Sequence, residues 1–127
     1  MKIFKAFLLV LLLCPLINVQ AQESKKIIVM NQYWAKDGMI QEVYEHRLYA
    51  SQVRKNLGLN VGRVLLTTET DNESAHVIWE CEYSSIEARN RDTQLLMESG
   101  QFDEVMDKMG TLIDDFERTI YEVSMTN

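Results

Sequence analysis

One histidine and two arginines in the first half of the chain are spaced so that they could form a small chemical site. His46, Arg47 and Arg54 lie in a segment whose apolar residues recur every three or four positions, which predicts an amphipathic helix. His46 belongs to the apolar stripe, and the two arginines flank it. A histidine titrates near neutral pH, and arginines bind carboxylates or enolates. The segment therefore predicts a site in which His46 is a catalytic general acid or base and the arginines orient a ligand.

A structural role for the same three residues is the alternative. On an apolar helix face, a single histidine is more often a hydrogen-bonded core residue than a catalyst. Arg47 and Arg54 could in that case be solvated or paired with surface acids. The spacing favours the structural role for His46 and leaves catalysis open.

A second group of candidate residues lies on two predicted β-strands. Trp79 and Tyr83 are an even number of positions apart, so they share one face of their strand and can line an internal cavity. Asn31 and Trp34 come near the end of the first strand, where they could line the mouth of the same pocket. Trp34 could instead pack at an interface between two copies. The predicted ligand-binding residues are Asn31, Trp34, Arg47, Arg54, Trp79 and Tyr83.

The opposite face of the strand that carries Trp79 is acidic. Glu80 and Glu82 alternate with the residues of the cavity face, and Arg63 or Arg118 on neighbouring strands could pair with them. Such cross-strand ion pairs are common structural features. They are therefore favoured over a general base at Glu80.

Several kinds of site are disfavoured by the residue pattern. The histidines, cysteines and acids lack the spacing typical of metal ligands, and the sequence contains no glycine-rich phosphate loop and no nucleophile elbow. Cys81 is the only cysteine after residue 21, so no internal disulfide is expected, and its strand-like surroundings predict a buried, inert thiol. No metal is predicted.

The charge balance argues against nucleic acid and membrane surfaces as partners. The chain has 13 basic and 19 acidic residues and a formal net charge of −6. An acidic surface repels phosphate backbones and anionic lipids, and no basic stripe interrupts it. We expect no nucleic-acid partner and no membrane association once the N-terminal segment has been removed.

The first 21 residues have the pattern of a secretory signal peptide. Two lysines precede the apolar run 7–13, and a small-residue site ends at Ala21. Cys14 could suggest a lipid anchor, but Leu13 stands where a small residue is needed, so we expect cleavage after Ala21. The expected product is exported, periplasmic or secreted, and consists of residues 22–127 as one domain with a net charge of about −8.

Apolar periodicity and turn residues predict six elements in this domain. Runs of β-branched and aromatic residues predict strands, and apolar stripes between them predict helices. Ser84 with Glu87 forms a capping box that opens a second helical region, which is interrupted at 99–100. Its apolar stripe then continues over 102–113. The predicted strands are 27–34, 61–70, 75–83 and 118–123, and the first helix is 38–57.

The order β-α-β-β-α-β is that of a ferredoxin-like α+β domain. In this arrangement a four-stranded antiparallel sheet carries its helices on one face and leaves the other face open. Both alternating sets of residues in strand 27–34 are largely apolar, so both faces of the sheet should be covered. A second copy of the chain can cover the open face, and the sequence therefore predicts a homodimer.

The third strand and the residues after it carry a family resemblance. The run VIWE at 77–80 leads into YSSIEA at 83–88, and an amphipathic helix containing Phe102 and a YEV strand at 121–123 follow. Over roughly 27–123 this pattern resembles the dimeric α/β-barrel superfamily and is most similar to its NIPSNAP and antibiotic-biosynthesis-monooxygenase branches. The resemblance implies two ferredoxin-like subunits whose sheets close a shared barrel, with a small-molecule cavity between each sheet and its helices.

Members of this superfamily differ in chemistry. They include cofactor-independent monooxygenases of aromatic polyketides, haem-degrading enzymes, isomerases and decarboxylases. The haem degraders pair an asparagine on strand one with a tryptophan and a histidine on helix two. Asn31 could take the first position, but the second helical region here contains neither Trp nor His. Haem degradation is therefore not expected, and no cofactor is predicted.

The combined prediction is an exported, homodimeric α/β-barrel protein that binds a small hydrophobic or anionic ligand. The alternative is a cofactor-independent monooxygenase-like enzyme that acts on a hydrophobic or aromatic small molecule, with His46 as the catalytic residue. The sequence does not specify an acid–base pair strongly enough to predict turnover.

Overall fold

A computed structural model describes residues 24–69 and 71–124 of the chain. The predicted signal peptide lies outside the described residues. No helix of the described part is both long enough and apolar enough to cross a bilayer. The elements in chain order are β1 (Ile27–Ala35), α1 (Ile40–Asn56), β2 (Arg63–Leu66), β3 (Val77–Tyr83), α2 (Ile86–Glu98), α3 (Asp103–Leu112) and β4 (Ile113–Glu122).

The four strands form one antiparallel sheet in the order β2-β3-β1-β4. Strands β1 and β3 are central, and β1 has the residue pattern expected of a central strand, because both of its alternating residue sets are rich in apolar side chains. The order of elements confirms the predicted ferredoxin-like α+β fold, with the second helical region divided into α2 and α3. The division falls at 99–102, close to the predicted break.

The two faces of the sheet differ in burial. On β1 the odd-numbered residues are buried, whereas the even-numbered ones are half-buried. The buried set packs against the helices around Val43 of α1 and Met109 of α3, and Val77 of β3 completes this core. The other face, which we call the open face, carries apolar side chains that stay half-buried or exposed in the single chain: Ile28, Met30, Leu65, Ile78 and Tyr121.

Strand β2 is shorter than the predicted range 61–70. Gly62, immediately before it, has a φ of 69°, a left-handed conformation that a strand residue does not adopt. The pairing of β2 with β3 ends at Leu66, which is opposite Val77. The backbone geometry at Gly62 therefore sets the start of the strand.

Strand β4 begins at Ile113, five residues earlier than predicted. Ile113 fits the apolar stripe of the preceding helix, which is why the periodicity assigned it there. Its backbone is extended, with φ −116° and ψ 149°, and it pairs with Ala35 across the sheet. Pairing with β1 overrides the helical pattern at this position.

The predicted capping box at Ser84 and Glu87 is wrong by one residue. Ser85 is the N-cap of α2, and its Oγ accepts a hydrogen bond of 3.0 Å from the backbone N–H of Ala88. Because Ser84 and Ser85 are adjacent and chemically equivalent, only the backbone conformation distinguishes them.

Candidate functional site

A cavity of about 410 Å³ lies between the sheet and the helices. Its volume falls in the range of sites for small organic ligands. Strands β1, β3 and β4 form its floor, and all three helices contribute to its walls. Most of the wall is apolar, with side chains from α2, α3 and β4: Leu96, Met97, Phe102, Val105, Met109 and Phe116.

Four arginines line this cavity although the chain as a whole is acidic. Arg47 and Arg54 come from α1, Arg89 from α2 and Arg118 from β4. Within the described residues, no acidic side chain is part of the lining. Any counter-charge for these arginines must therefore come from residues outside the lining. The four arginines differ in whether they have such a partner.

Arg54 is fully engaged with a buried carboxylate. Its Nη1 donates to Asp92 Oδ1 at 2.6 Å and to the carbonyl oxygen of Asn60 at 3.1 Å. Asp92 also accepts the hydroxyl proton of Tyr83 at 3.0 Å and the backbone N–H of Asn60 at 3.0 Å. This cluster joins α1, α2, β3 and the segment before β2, and burial raises the pKa of Tyr83. Arg54 therefore has a structural role in the cavity wall.

Arg47 is buried without such a partner. Only 3% of its surface is exposed, and its Nε has no hydrogen-bond partner among residues 24–69 and 71–124. No ion pair within these ranges includes it. Burial lowers the pKa of Arg47 to about 10, because desolvation disfavours the charged form, and the guanidinium still stays protonated at neutral pH.

Trp79 is the surface over which both α1 arginines lie. The Cζ atoms of Arg47 and Arg54 are 4.8 Å and 4.9 Å from its ring centroid, within cation–π range. The indole Nε1 donates to the carbonyl oxygen of Val61 at 2.8 Å. A Cβ at Gly62 would lie 2.7 Å from this Nε1 and 2.5 Å from the carbonyl oxygen of Glu80, so a glycine is needed beside the indole.

Arg118 and Asn31 are cross-strand partners on the cavity face. They face each other across the β1–β4 pair, and Arg118 Nε donates to Asn31 Oδ1 at 2.8 Å. Asn31 also pairs in register with Trp79 on its other side. Burial, followed by the charge of Arg89, lowers the pKa of Arg118. A row of Trp79, Asn31 and Arg118 therefore crosses the floor of the cavity.

The structure brings together five of the six predicted ligand-binding residues, namely Asn31, Arg47, Arg54, Trp79 and Tyr83. Trp34 lies on the open face of the sheet, and its Nε1 donates to the carbonyl oxygen of Glu73 at 3.2 Å. The alternation of β1 places Trp34 opposite to Asn31. Ligand binding by any of the six residues stays a prediction.

His46 lies outside the cavity lining. Its Nε2 is 2.8 Å from the carbonyl oxygen of Val105, which can only accept, so this nitrogen carries the proton. The ring stacks on Tyr49 with the centroids 6.0 Å apart and lines a second pocket, which is formed by α1, α3 and Gln101. The contact links α1 to α3, which favours the structural role. Catalysis by His46 stays a prediction, and this geometry gives it no support.

Sequence reasoning missed several residues that line the cavity. On α2, Arg89, Thr93 and Leu96 share a helical stripe with Asp92, and this spacing could have indicated that they face inward. Arg118 required knowledge of the β1–β4 register. On the open face, Arg63 pairs with Glu80, as predicted, and Glu82 pairs with Lys26 at 3.3 Å. The prediction that Arg118 could pair with these acids is wrong, because Arg118 lies on the cavity face opposite Asn31.

The described part of the chain has no arrangement of side chains typical of a metal site, and its cysteine is not activated. No group of three or more His, Cys, Asp or Glu side chains there is arranged to hold a metal ion. Burial raises the pKa of the Cys81 thiol, which keeps it in its unreactive protonated form.

Solved structures of several other proteins have a fold similar to that of this chain. A NIPSNAP family protein from Agrobacterium tumefaciens superposes with a TM-score of 0.62 at 20% identity, covering 84% of this chain and 92% of that one. The cofactor-independent oxygenase SnoaB from Streptomyces nogalater gives 0.59 at 16% identity, over 81% and 97%. A dimeric ferredoxin-like protein from an uncultured marine organism gives 0.55 at 9% identity, over 83% and 92%.

These neighbours define the class of protein by fold. The chain has the ferredoxin-like fold of NIPSNAP and antibiotic-biosynthesis-monooxygenase-like proteins, which confirms the predicted resemblance. No protein-family model matches the sequence. No curated protein matches it either.

Proposed function

We propose that this chain is a small-molecule-binding protein whose ligand occupies the cavity between the sheet and the helices. The observation that carries the proposal is the cavity itself, which combines a volume of about 410 Å³ with a mostly apolar wall. A few buried polar groups, among them Asn31 and Tyr83, are fixed on its floor by the sheet. Apolar walls with few, fixed polar groups are typical of ligand sites.

Native mass spectrometry of the protein purified gently from its own host tests this proposal. We expect one small molecule of defined mass per chain. Thr93 is half-buried in the lining, so Thr93→Phe should obstruct the cavity and abolish the extra mass, whereas Thr93→Val, which keeps the shape of the side chain, should retain it. An empty wild-type protein that also takes up nothing from the small-molecule extract of its host would contradict the proposal.

We further propose that the chain is a homodimer joined through the open face. Apolar side chains on this face, including Leu65 and Tyr121, remain 37% and 50% exposed in the single chain. A neighbour of similar fold is described as dimeric, which supports the same arrangement here. A contiguous apolar surface of this kind is typical of an interface between subunits.

Substitution on the open face tests the dimer. Ile78→Lys places a charge at the centre of this face and should give a folded monomer by native mass spectrometry or light scattering. Leu95→Lys is the matched control, because Leu95 is 56% exposed on α2 and lies outside the open face. A wild-type monomer, or a dimer that survives Ile78→Lys, would rule out this interface.

Export of the mature chain remains part of the proposal. The pattern of residues 1–21 supports it, as set out above. The intact mass of the protein recovered from its host should correspond to a chain that begins at Gln22. A product that retains the first 21 residues inside the cell would contradict export.

A cofactor-independent oxygenase is the second candidate function. The likeness to SnoaB in fold and the guanidinium groups beside an apolar cavity favour it, because cationic groups stabilise the enolate that such an enzyme must form. Stoichiometric oxygen uptake with a phenolic aromatic substrate, abolished by Thr93→Phe, would establish it. Binding of such a substrate without oxygen uptake would leave the chain a binding protein.

A further inference from the structure

The cavity has an excess of positive charge that the protein itself does not neutralise. Of the four arginines in its lining, Arg54 is paired with Asp92. Arg89 Nη1 contacts the side-chain amide oxygen of Asn90 at 3.3 Å, and Arg118 Nε donates to the neutral Asn31. Within the described residues, Arg47 has no anionic partner. A ligand that supplies negative charge would therefore complete this site.

Arg47 is the strongest single indication. A buried guanidinium without a hydrogen-bond partner at Nε is costly, since desolvation is not offset by a counter-charge. Trp79 supports the face of this group from 4.8 Å but does not provide an acceptor in its plane. The planar fork of an arginine matches the two oxygens of a carboxylate.

The sheet register places two further donors beside Arg47. Trp79, Asn31 and Arg118 are successive partners across β3, β1 and β4, and neighbouring strands are about 4.8 Å apart. Asn31 therefore lies between the indole that supports Arg47 and the strand that carries Arg118. Its Oδ1 accepts from Arg118, which directs the Nδ2 donor elsewhere, and the only contact of this Nδ2 within the described residues is a long one of 3.5 Å to the hydroxyl of Tyr33.

The remaining wall suits an apolar body. Phe102 and Met109 line the interior, while Met97 and Met106 are 50% and 53% exposed and so mark where the cavity meets solvent. Methionines adapt to ligands of different shape. With a volume of about 410 Å³, the cavity falls in the range of sites for small organic ligands, so a body of this kind fits.

We infer that the ligand is an amphipathic carboxylic acid whose carboxylate lies over Asn31 between Arg47 and Arg118. Its aliphatic or aromatic body packs against the apolar wall formed by α2 and α3. This inference rests on the proposed small-molecule function and specifies the chemical class of the ligand.

Two matched pairs of probes test the inference. Calorimetric titration at pH 7 compares 1-naphthoate with 1-naphthamide and decanoate with decanamide. Each pair shares one body and differs only in the head group, which is an anionic carboxylate in the acid and a neutral amide in its partner. In at least one pair we expect the acid to bind about tenfold or more tightly than the amide, because hydrogen bonds to a charged group are the stronger ones. The pair that binds distinguishes an aromatic from an aliphatic ligand.

Three variants locate the effect. Arg47→Met replaces the apolar stem of the side chain and removes the guanidinium with its charge, so it should abolish the preference for the acid. Arg118→Met should reduce the preference and is expected to fold, since Arg118 lies on the edge strand β4 and is only partly buried. Arg63→Met is the matched control, because Arg63 pairs with Glu80 on the open face, and it should bind both probes like the wild type.

The outcomes separate this inference from the proposed function. Equal affinity for acid and amide in the wild type would overturn the carboxylate site and leave small-molecule binding intact. An acid preference that survives in both Arg47→Met and Arg118→Met would also overturn it. If none of the four probes binds, the inference fails, and the native mass spectrum then decides the proposed function separately.

Discussion

Arg54 and Arg47 occupy two regions of the same cavity wall. The groups around each arginine give the two side chains different roles. Both come from α1, and both lie over the ring of Trp79 at nearly the same distance. Arg54 meets a carboxylate that is also bound by Tyr83 and by the backbone of Asn60. Arg47 meets no such group among the described residues. The Arg54 region is therefore complete within the chain, whereas the Arg47 region is complete only with a ligand.

The difference teaches that charge compensation, rather than burial, separates structural from functional arginines here. Both side chains are buried to a similar degree. A buried pair offsets part of its desolvation cost through its partners, whereas an isolated buried charge has no such offset and lowers the stability of the empty protein. Residues that bind ligands often carry such a cost in stability.

The largest expected effect is on the Arg54 region. Asp92→Asn removes the charge that compensates Arg54 and should lower the free energy of unfolding by about 3–5 kcal/mol, measured by urea denaturation. Glu122→Gln is the matched control, because it removes the carboxylate from the exposed Lys25–Glu122 pair, which lies outside the open face, and it should cost much less than Asp92→Asn. A loss below about 1 kcal/mol in Asp92→Asn would show that the Asp92 cluster is not structural.

A smaller effect is expected from Gly62→Ala, which disturbs the support common to both regions. The added Cβ would collide with Trp79 and with the carbonyl oxygen of Glu80, and φ at this position is 69°. We expect a loss of about 2–3 kcal/mol in stability together with a change in tryptophan fluorescence. Gly58→Ala is the matched control, since φ there is 71° but nothing lies within 4 Å of the new Cβ. It should cost about 1 kcal/mol and leave the fluorescence unchanged. Comparable effects in the two variants would mean that Trp79 is not held in this position.

Arg47→Met should change stability in the opposite direction from Asp92→Asn. It removes an uncompensated buried charge and loses a cation–π contact of about 0.5–2 kcal/mol. Because the cost of desolvation is the larger quantity, we expect the empty protein to gain about 1 kcal/mol, measured by urea denaturation of ligand-free samples. A loss comparable to that of Asp92→Asn would show that Arg47 has a partner in solution and would remove the contrast between the regions.

The sequence predicted the parts of this site that depend on local periodicity. Alternation along β1 and β3 assigned Asn31, Trp79 and Tyr83 to one face, and helical spacing brought Arg47 and Arg54 near it. Alternation also makes clear why Trp34 lies on the other face, three residues from Asn31. Where one face of a helix or strand is strongly apolar, the local sequence alone predicts which side chains point toward the core.

The remaining features depend on contacts that periodicity does not describe. His46 and Arg47 are successive residues, about 100° apart around the helix, and only the position of α3 makes one face Val105 and the other the cavity. The role of Arg54 was set by Asp92, which is 38 positions later in the chain. The place of Arg118 followed from the register with β1, because the start of β4 could not be separated from the helical stripe before it.

The pH dependence of carboxylate binding should be the smallest effect, and it separates the arginine site from a histidine site. Binding requires a protonated Arg47 and an ionised ligand. Burial lowers the pKa of Arg47 to about 10, so the group stays charged up to about pH 9 and loses its proton only above that. A carboxylic acid is ionised above about pH 6. The affinity for the carboxylate probe should therefore vary less than about twofold between pH 6 and pH 9 and fall above pH 10.

The groups that act electrostatically on Arg47 preserve this flat profile. They are Tyr33, Arg54, Cys81 and Tyr83, and burial raises the pKa of both Cys81 and Tyr83, which moves their ionisation further from neutrality.

A ligand site that included a histidine would instead make the affinity vary with pH near neutrality, because histidine side chains in general change charge there. His46→Ala should keep the flat profile and the affinity, and it should lower stability by about 1–3 kcal/mol, because its contact with the carbonyl oxygen of Val105 is lost. An inflection in the wild type that disappears in His46→Ala would instead assign His46 to the ligand site and contradict the carboxylate site centred on Arg47.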